Sequence, residues 1–352
     1  MIIIANSRSI SRHEGRLGGL SLNRSWISCL LRSAFSLLIL GAVIAGTALA
    51  GGNGDCPDCP DWVNYNEWWD RYHIGPNGAD SGTSTGSVRD QALKSREEKG
   101  ATEDAVAEYE NPELLFHPED DLDGRVLLDA RSPEDYENGH LPGARNLYWR
   151  WLKPAGSLDL DLAVAELSRL GVNETDPVVV CGNGDDSAYL FWALECLGHE
   201  NLSRLDGDVE AFFDLDLVQN SPEPEKSNYT SASRPALLIN ESMLDQAEES
   251  IGVQIVDTRS SFSDYAASRI SNSMNLKTSD LYSDPEARTL KTPGELDDLF
   301  SGRGLDEEKV QMVYGTPEAC TLYFALRTMG YRAVVLDGDW WKNTDYAVRS
   351  IS

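Results

Sequence analysis

Basic residues are scarce in this chain. Thirty lysines and arginines stand against 58 aspartates and glutamates, a formal charge of -28 at pH 7. A surface of that sign repels phosphate backbones and anionic headgroups, so nucleic acid and a polybasic membrane contact are excluded as partners. Cysteine is sparse as well, six in 352 residues, and no cluster with zinc-ligand spacing occurs. There is no Walker-type phosphate loop and no dinucleotide fingerprint. A phosphatase loop of the Cys-x5-Arg kind fails too, because Ser187 stands where the arginine is needed. No metal and no cofactor are expected.

Long apolar runs are equally rare, and the one present is informative. Residues 1–32 carry five arginines (Arg8, Arg12, Arg16, Arg24, Arg32) and one acid, Glu14. The 17-residue run Ala34 to Ala50 follows and ends in Ala48-Leu49-Ala50 before Gly51. A basic start, an apolar stretch and a small-x-small end are the marks of a secretory signal peptide. The same stretch, uncleaved, would be a short N-terminal membrane anchor or tether. Either way residues 1–50 direct the rest outside the cytoplasm, secreted or membrane-anchored through residues 34–50.

Residues 51–111 are polar and turn-rich, with Gly75-Pro76-Asn77-Gly78 and Ser81-Gly82-Thr83-Ser84-Thr85-Gly86. They read as a tether whose aromatic patch (Trp62, Tyr65, Trp68, Trp69, Tyr72) docks onto a folded domain. Cys56 and Cys59 form a lone CxxC, readable as a local disulfide, a redox pair or half of a metal site. With Cys29 in the leader, five cysteines remain, so at least one thiol is free or paired between chains.

From Pro112 short aliphatic runs alternate with helical segments. Arg125 to Asp129 and Pro177 to Val180 read as buried strands, and Ala163 to Leu170 and Ala188 to Leu197 as helices. Such alternation implies a mainly parallel sheet with helices on its faces. The pattern recurs after a linker at 220–234: Gln254 to Arg259 answers Val126 to Arg131, and Leu336-Asp337-Gly338-Asp339 answers Leu205-Asp206-Gly207-Asp208. A period of about 130 residues is too long for a solenoid and points to two homologous α/β domains, 112–219 and 235–352.

Cys181 stands at the C-terminal end of a buried strand and opens Cys181-Gly182-Asn183-Gly184-Asp185-Asp186-Ser187, with a helix expected from about Ala188. A strand, a glycine-bearing loop and a helix start make a cup of backbone N–H groups facing the positive end of a helix dipole. A cysteine at its rim is favoured as thiolate, hence as nucleophile.

With these residues in hand the chain resembles the rhodanese (sulfurtransferase) family, in its tandem two-domain form. Asp129-Ala130-Arg131-Ser132-Pro133-Glu134-Asp135-Tyr136, Gly139-His140-Leu141-Pro142-Gly143-Ala144-Arg145-Asn146 and the Cys181 loop carry the likeness, over about Pro112 to Asn343. The resemblance implies that Cys181 carries sulfane sulfur as a persulfide. The sulfur would come from a small donor and go to a thiol or cyanide-like acceptor. It makes Gly182, Asn183, Gly184, Asp185, Asp186 and Ser187 the persulfide-binding loop, with Asp129, Arg131 and His140 as structural support. The nearest motif-linked cations that could reach a donor are Arg145 and Arg150.

Two departures stand out. Asp185 and Asp186 occupy loop positions where the family carries Arg, Lys or Thr, so both are expected to oppose a dianionic donor and to raise the Cys181 pKa. In the second repeat Tyr314 ends the strand in place of cysteine, and Cys320 falls opposite Ala188 as a core residue. A degenerate tandem module that binds or scaffolds outside the cytoplasm is therefore the competing expectation. The oligomeric state is not legible.

Overall fold

A computed structural model describes residues 108–209, 216–220 and 224–349. The leader, Cys56 and Cys59, and the aromatic patch at 62–72 lie outside the described residues. The first repeat runs β1 (Leu115–Phe116), β2 (Val126–Asp129), α1 (Pro133–Asn138), β3 (Arg145–Asn146), α2 (Leu160–Arg169), β4 (Val178–Cys181), α3 (Gly184–Cys196) and β5 (Leu202–Leu205). Its strands form one parallel sheet in the order β1-β5-β4-β2-β3. The continuous apolar run Val178-Val179-Val180 suits the middle of that sheet, where both faces are covered.

Strand alternation then sorts the side chains. Val178 and Val180 pack with α3, while Val179 and Cys181 turn to the opposite face among Phe116, Leu127, Leu141, Ala144, Leu205 and Val209. Each aliphatic side chain buried this way stabilises the fold by roughly 1.5–3 kcal/mol.

The second repeat continues with α4 (Glu241–Glu249), β6 (Val253–Asp257), α5 (Phe262–Ala267), β7 (Ser268–Ile270), β8 (Met274–Asn275), β9 (Tyr282–Asp284) and β10 (Thr289–Leu290). It closes with α6 (Pro293–Gly302), β11 (Val310–Tyr314), α7 (Glu318–Thr328), β12 (Ala333–Leu336) and β13 (Ala347–Arg349). A parallel sheet in the order β12-β11-β6-β8 repeats the first arrangement, and β9 and β10 form an antiparallel hairpin. The expectation of two α/β domains with parallel sheets holds.

Helices α3 and α7 are buried on nearly every side, as helices apolar all round must be. They pack on each other, with Phe191 and Phe324 edge to face at 4.9 Å between ring centroids. Polar bonds across the junction are reciprocal. Asp206 of the first domain accepts the Leu290 N–H of the second at 2.8 Å, and Asp337 of the second accepts the Leu158 N–H of the first at 2.8 Å. Glu195 on α3 pairs with Arg327 on α7 at 3.0 Å and accepts the Tyr323 hydroxyl.

One element differs from expectation. Helix α3 begins at Gly184 rather than near Ala188, so Asp185, Asp186 and Ser187 form its first turn. Asn183 O accepts the N–H groups of Asp186 and Ser187, which winds the chain before the loop expected from the sequence has ended.

Candidate active site around Cys181

Strands β2 and β4 end side by side, with Asp129 opposite Cys181 in the parallel register. Asp129 and Arg131 form a buried ion pair at 2.7 Å, and Arg131 also donates to the Gly139 carbonyl at 2.8 Å. This fastens the β2 turn to the start of the Gly139–Ala144 segment. His140 is fully buried, stacked on Tyr136 at 3.7 Å, with Nδ1 2.8 Å from the Tyr136 carbonyl. All three residues lie in the scaffold beside the cysteine.

Cys181 itself has no solvent exposure, and its thiol points at the Leu128 carbonyl at 3.6 Å. Burial pushes its pKa well above the ordinary thiol value, Asp129 adds to the rise, and Arg131 opposes it. The rise expected from Asp185 and Asp186 thus has another source, burial and Asp129. Asp185 accepts the Thr321 hydroxyl at 2.5 Å, and Asp186 accepts the Trp149 indole N–H at 2.5 Å. Each carboxylate is thus committed to a neutral donor, one on the second domain and one on the first.

Beyond the cysteine the chain turns through Gly182, whose φ of +144° disfavours a side chain. Asn183 precedes α3, and the Gly184 N–H donates to Asp208 Oδ1 at 2.9 Å. Beneath that turn lies Arg204, 1% exposed, which donates to the Gly184 carbonyl at 3.0 Å and to Ser187 Oγ at 2.9 Å. Above it sits Arg288, from the turn between β9 and β10, paired with Asp208 Oδ2 at 2.7 Å. Arg288 comes so close that a Cβ placed on Gly184 would stand 2.6 Å from its Cδ.

Two arginines therefore flank the loop, from a strand 20 residues downstream of Gly184 and from the other domain. Neither was anticipated, nor was Asp208. Arg204 is hidden inside a strand, and Arg288 directly follows Asp284-Pro285-Glu286-Ala287, which reads as ordinary loop chemistry. Of the two cations that the sequence points to, Arg150 lies beside the loop, its charge acting on Asp186, while Arg145 is turned away from it. Arg145 donates to the Leu170 and Gly171 carbonyls, and Arg150 lies over the Trp149 ring at 5.0 Å.

The second domain has the same frame with a different occupant. Tyr314 faces Asp257 as Cys181 faces Asp129, and its hydroxyl lies 3.1 Å from the Ile270 N–H and 3.0 Å from Ser273 Oγ. Cys320 is fully buried within α7, and Cys196 is buried on α3. Among the described residues, no group of three or more His, Cys, Asp or Glu side chains could hold a metal ion. A surface cleft of about 630 Å³ opens on the second domain beside Phe262, Tyr265, Lys277 and Arg303, and none of residues 181–187 lines it.

A thiol sealed in this way has a testable signature. Its raised pKa means that the buried, protonated form contributes stability below the ordinary thiol pKa, and that this contribution is lost as pH climbs towards the raised value. Labelling of Cys181 by iodoacetamide should keep rising with pH beyond the ordinary thiol range. A plateau at the ordinary value, followed by peptide mapping, would show a solvated thiol instead.

Two parallel-sheet domains and one strand-end thiol under a helix start define a tandem thiol-site α/β protein. Residues 114–215 and 241–343 each match the rhodanese-like domain, and the chain belongs to that family. The 3-mercaptopyruvate sulfurtransferase of Escherichia coli K12 is 27% identical over 266 residues, 67% of this chain and 92% of that protein. The crystal structure of SseA from Escherichia coli superposes with a TM-score of 0.58 at 24% identity, over 64% of this chain and 98% of that one. EanB superposes with a TM-score of 0.57 at 17% identity, over 66% of each chain.

Proposed function

We propose that this chain is a sulfurtransferase that moves sulfane sulfur through a persulfide on Cys181. The observation that carries the reading is the placement of Cys181, the one described cysteine that ends a strand directly before a glycine turn and a helix N-terminus. The Cys181 thiolate attacks the outer sulfur of a small donor such as thiosulfate. The sulfur–sulfur bond of the donor breaks, sulfite leaves with the electron pair, and a Cys181 persulfide anion remains. An acceptor thiolate or cyanide then attacks the outer sulfur and the Cys181 thiolate is regenerated. The relatives named for thiosulfate and 3-mercaptopyruvate support those two donors as first choices.

Here the chemistry asks little of the protein: a thiolate, a site for negative charge, and shelter from water. The helix dipole and Arg131, whose charge favours the Cys181 thiolate, supply the second, and the packed cluster around Cys181 the third. Mass spectrometry after incubation with thiosulfate should find one added sulfur on Cys181, removable by cyanide. Addition to another cysteine, or to none, would end the proposal.

A second reading, a binding or scaffold module without turnover, draws support from the sealed thiol and from the carboxylate of Asp208 on the Gly184 N–H. An unreactive Cys181 toward both donors would favour it. The Ala34 to Ala50 run further suggests function outside the cytoplasm, secreted or held at a membrane. N-terminal sequencing of the protein from its host should then begin near Gly51. A retained apolar run would mean an anchor, and recovery of the intact chain from the cytoplasm would overturn the localisation.

A further inference from the structure

The turn that carries Asp208 does more than join β5 to the residues beyond it. Asp208 is 8% exposed, and both of its carboxylate oxygens are engaged, Oδ1 by the Gly184 N–H at 2.9 Å and Oδ2 by Arg288 at 2.7 Å. Its own N–H donates to the Ala287 carbonyl at 2.9 Å. The next residue, Val209, packs in the same apolar cluster as Cys181. A single turn thus touches the start of α3, the hairpin of the other domain and the wall around the thiol.

We infer that the Asp208–Arg288 pair is an interdomain latch that keeps Cys181 sealed, and that its release admits reactants to the thiol. Closed, the Asp208 carboxylate fills the N–H position at the start of α3 with the protein's own anion. The Tyr282 hydroxyl and the Arg288 side chain both crowd the Gly184 turn, so the other domain covers the start of α3. When the pair parts, Val209 leaves the Cys181 cluster with the turn.

This inference takes Cys181 as the reacting group, as proposed above, but its test needs no sulfur transfer. The full chain is labelled with iodoacetamide, a neutral probe, and each cysteine is followed by peptide mapping. Labelling of a group exposed by local opening tracks the open population. Asp208→Ala removes two charge-assisted bonds and should speed Cys181 labelling by about tenfold or more. Arg288→Gln removes one half-exposed pair and should speed it by roughly two- to fivefold. Added sodium chloride should speed labelling of the native chain and have little effect on Arg288→Gln, because only the former has the pair to screen.

Cys196 and Cys320 serve as internal controls, since both are buried in the large core cluster and not in the one that Cys181 shares with Val209. If they label in step with Cys181 in the variants, the whole domain has loosened and the latch is refuted. Native-rate labelling of Cys181 in both variants refutes it as well. A chain that labels as expected yet takes sulfur from no donor would sink the sulfurtransferase reading and leave the latch standing.

Discussion

Cys181→Ser is expected to abolish sulfur transfer, with a loss of at least about a thousandfold against the uncatalysed background, because a hydroxyl cannot hold a persulfide. The change removes no charge and replaces sulfur by a smaller atom within the packed cluster. The fold should survive, at a cost of about 1–2 kcal/mol for the altered packing and the newly buried hydroxyl. Cys320→Ala leaves a cavity in α7 but should retain turnover within about twofold, since Tyr314 occupies the strand-end place in that domain. Steady-state thiocyanate production from thiosulfate and cyanide checks both, alongside a circular dichroism melt. Native turnover in Cys181→Ser would move the chemistry elsewhere, and its equal loss in both variants would point to a merely folded requirement.

Asp337→Ala should be the most destabilising single change at the domain junction. The carboxylate is 1% exposed and receives four donors: Lys153 Nζ at 2.7 Å, and the Leu158 N–H, Tyr189 hydroxyl and Thr316 hydroxyl at 2.8 Å each. Two of these come from the loop after Trp149, one from α3 and one from the second domain's own turn. Removing the acceptor strands a largely buried ammonium beneath the Trp149 and Tyr189 rings. Breaking a buried ion pair from one side costs about 3–5 kcal/mol. The neighbouring pair Lys342–Asp339 is the natural contrast, with Asp339 69% exposed at its side chain. Asp339→Ala should stay within about 0.5 kcal/mol of the native chain. Urea denaturation with an unchanged slope would report the difference. Equal midpoints for the two variants would mean that Asp337 is solvated and the junction is looser than its hydrogen bonds indicate.

The role of Asp337 marks a boundary between sequence and structure. The repeated block Leu205-Asp206-Gly207-Asp208 and Leu336-Asp337-Gly338-Asp339 is plain in the sequence, and so is its implication of two related domains. Its purpose is not plain, because the partners lie 84 residues away for Asp206 and 179 for Asp337. Each carboxylate bonds a backbone N–H of the opposite domain, and a backbone N–H leaves no residue-type signature to read.

The acidic loop shows the same limit from the other side. Gly182-Asn183-Gly184-Asp185-Asp186 has turn chemistry, so a loop up to Ser187 was the natural expectation. Tertiary contacts wound it into helix instead. Arg204 grips the Gly184 carbonyl and Ser187 Oγ, and the Gly184 N–H finds Asp208, so the first turn gains partners that local sequence does not supply. The carboxylates then bond to Trp149 and Thr321, and Arg204 and Arg288 reach the same turn from distant segments, Arg288 paired with Asp208.

What the sequence determined by itself was what short-range periodicity encodes: buried parallel strands, the helices between them, their duplication, and a cysteine at the end of one strand. Those features depend on hydrophobic spacing over a few residues, which a chain displays wherever it folds. Tertiary structure alone decided which charges flank the Gly184 turn beside that cysteine and whether its thiol meets solvent. Arg204, Asp208 and Arg288 reach the Gly184 turn only because the parallel sheet and the α3–α7 contact bring together segments up to about a hundred residues apart. Electrostatics and access are set by distance in space, and no pattern along the chain reports that distance.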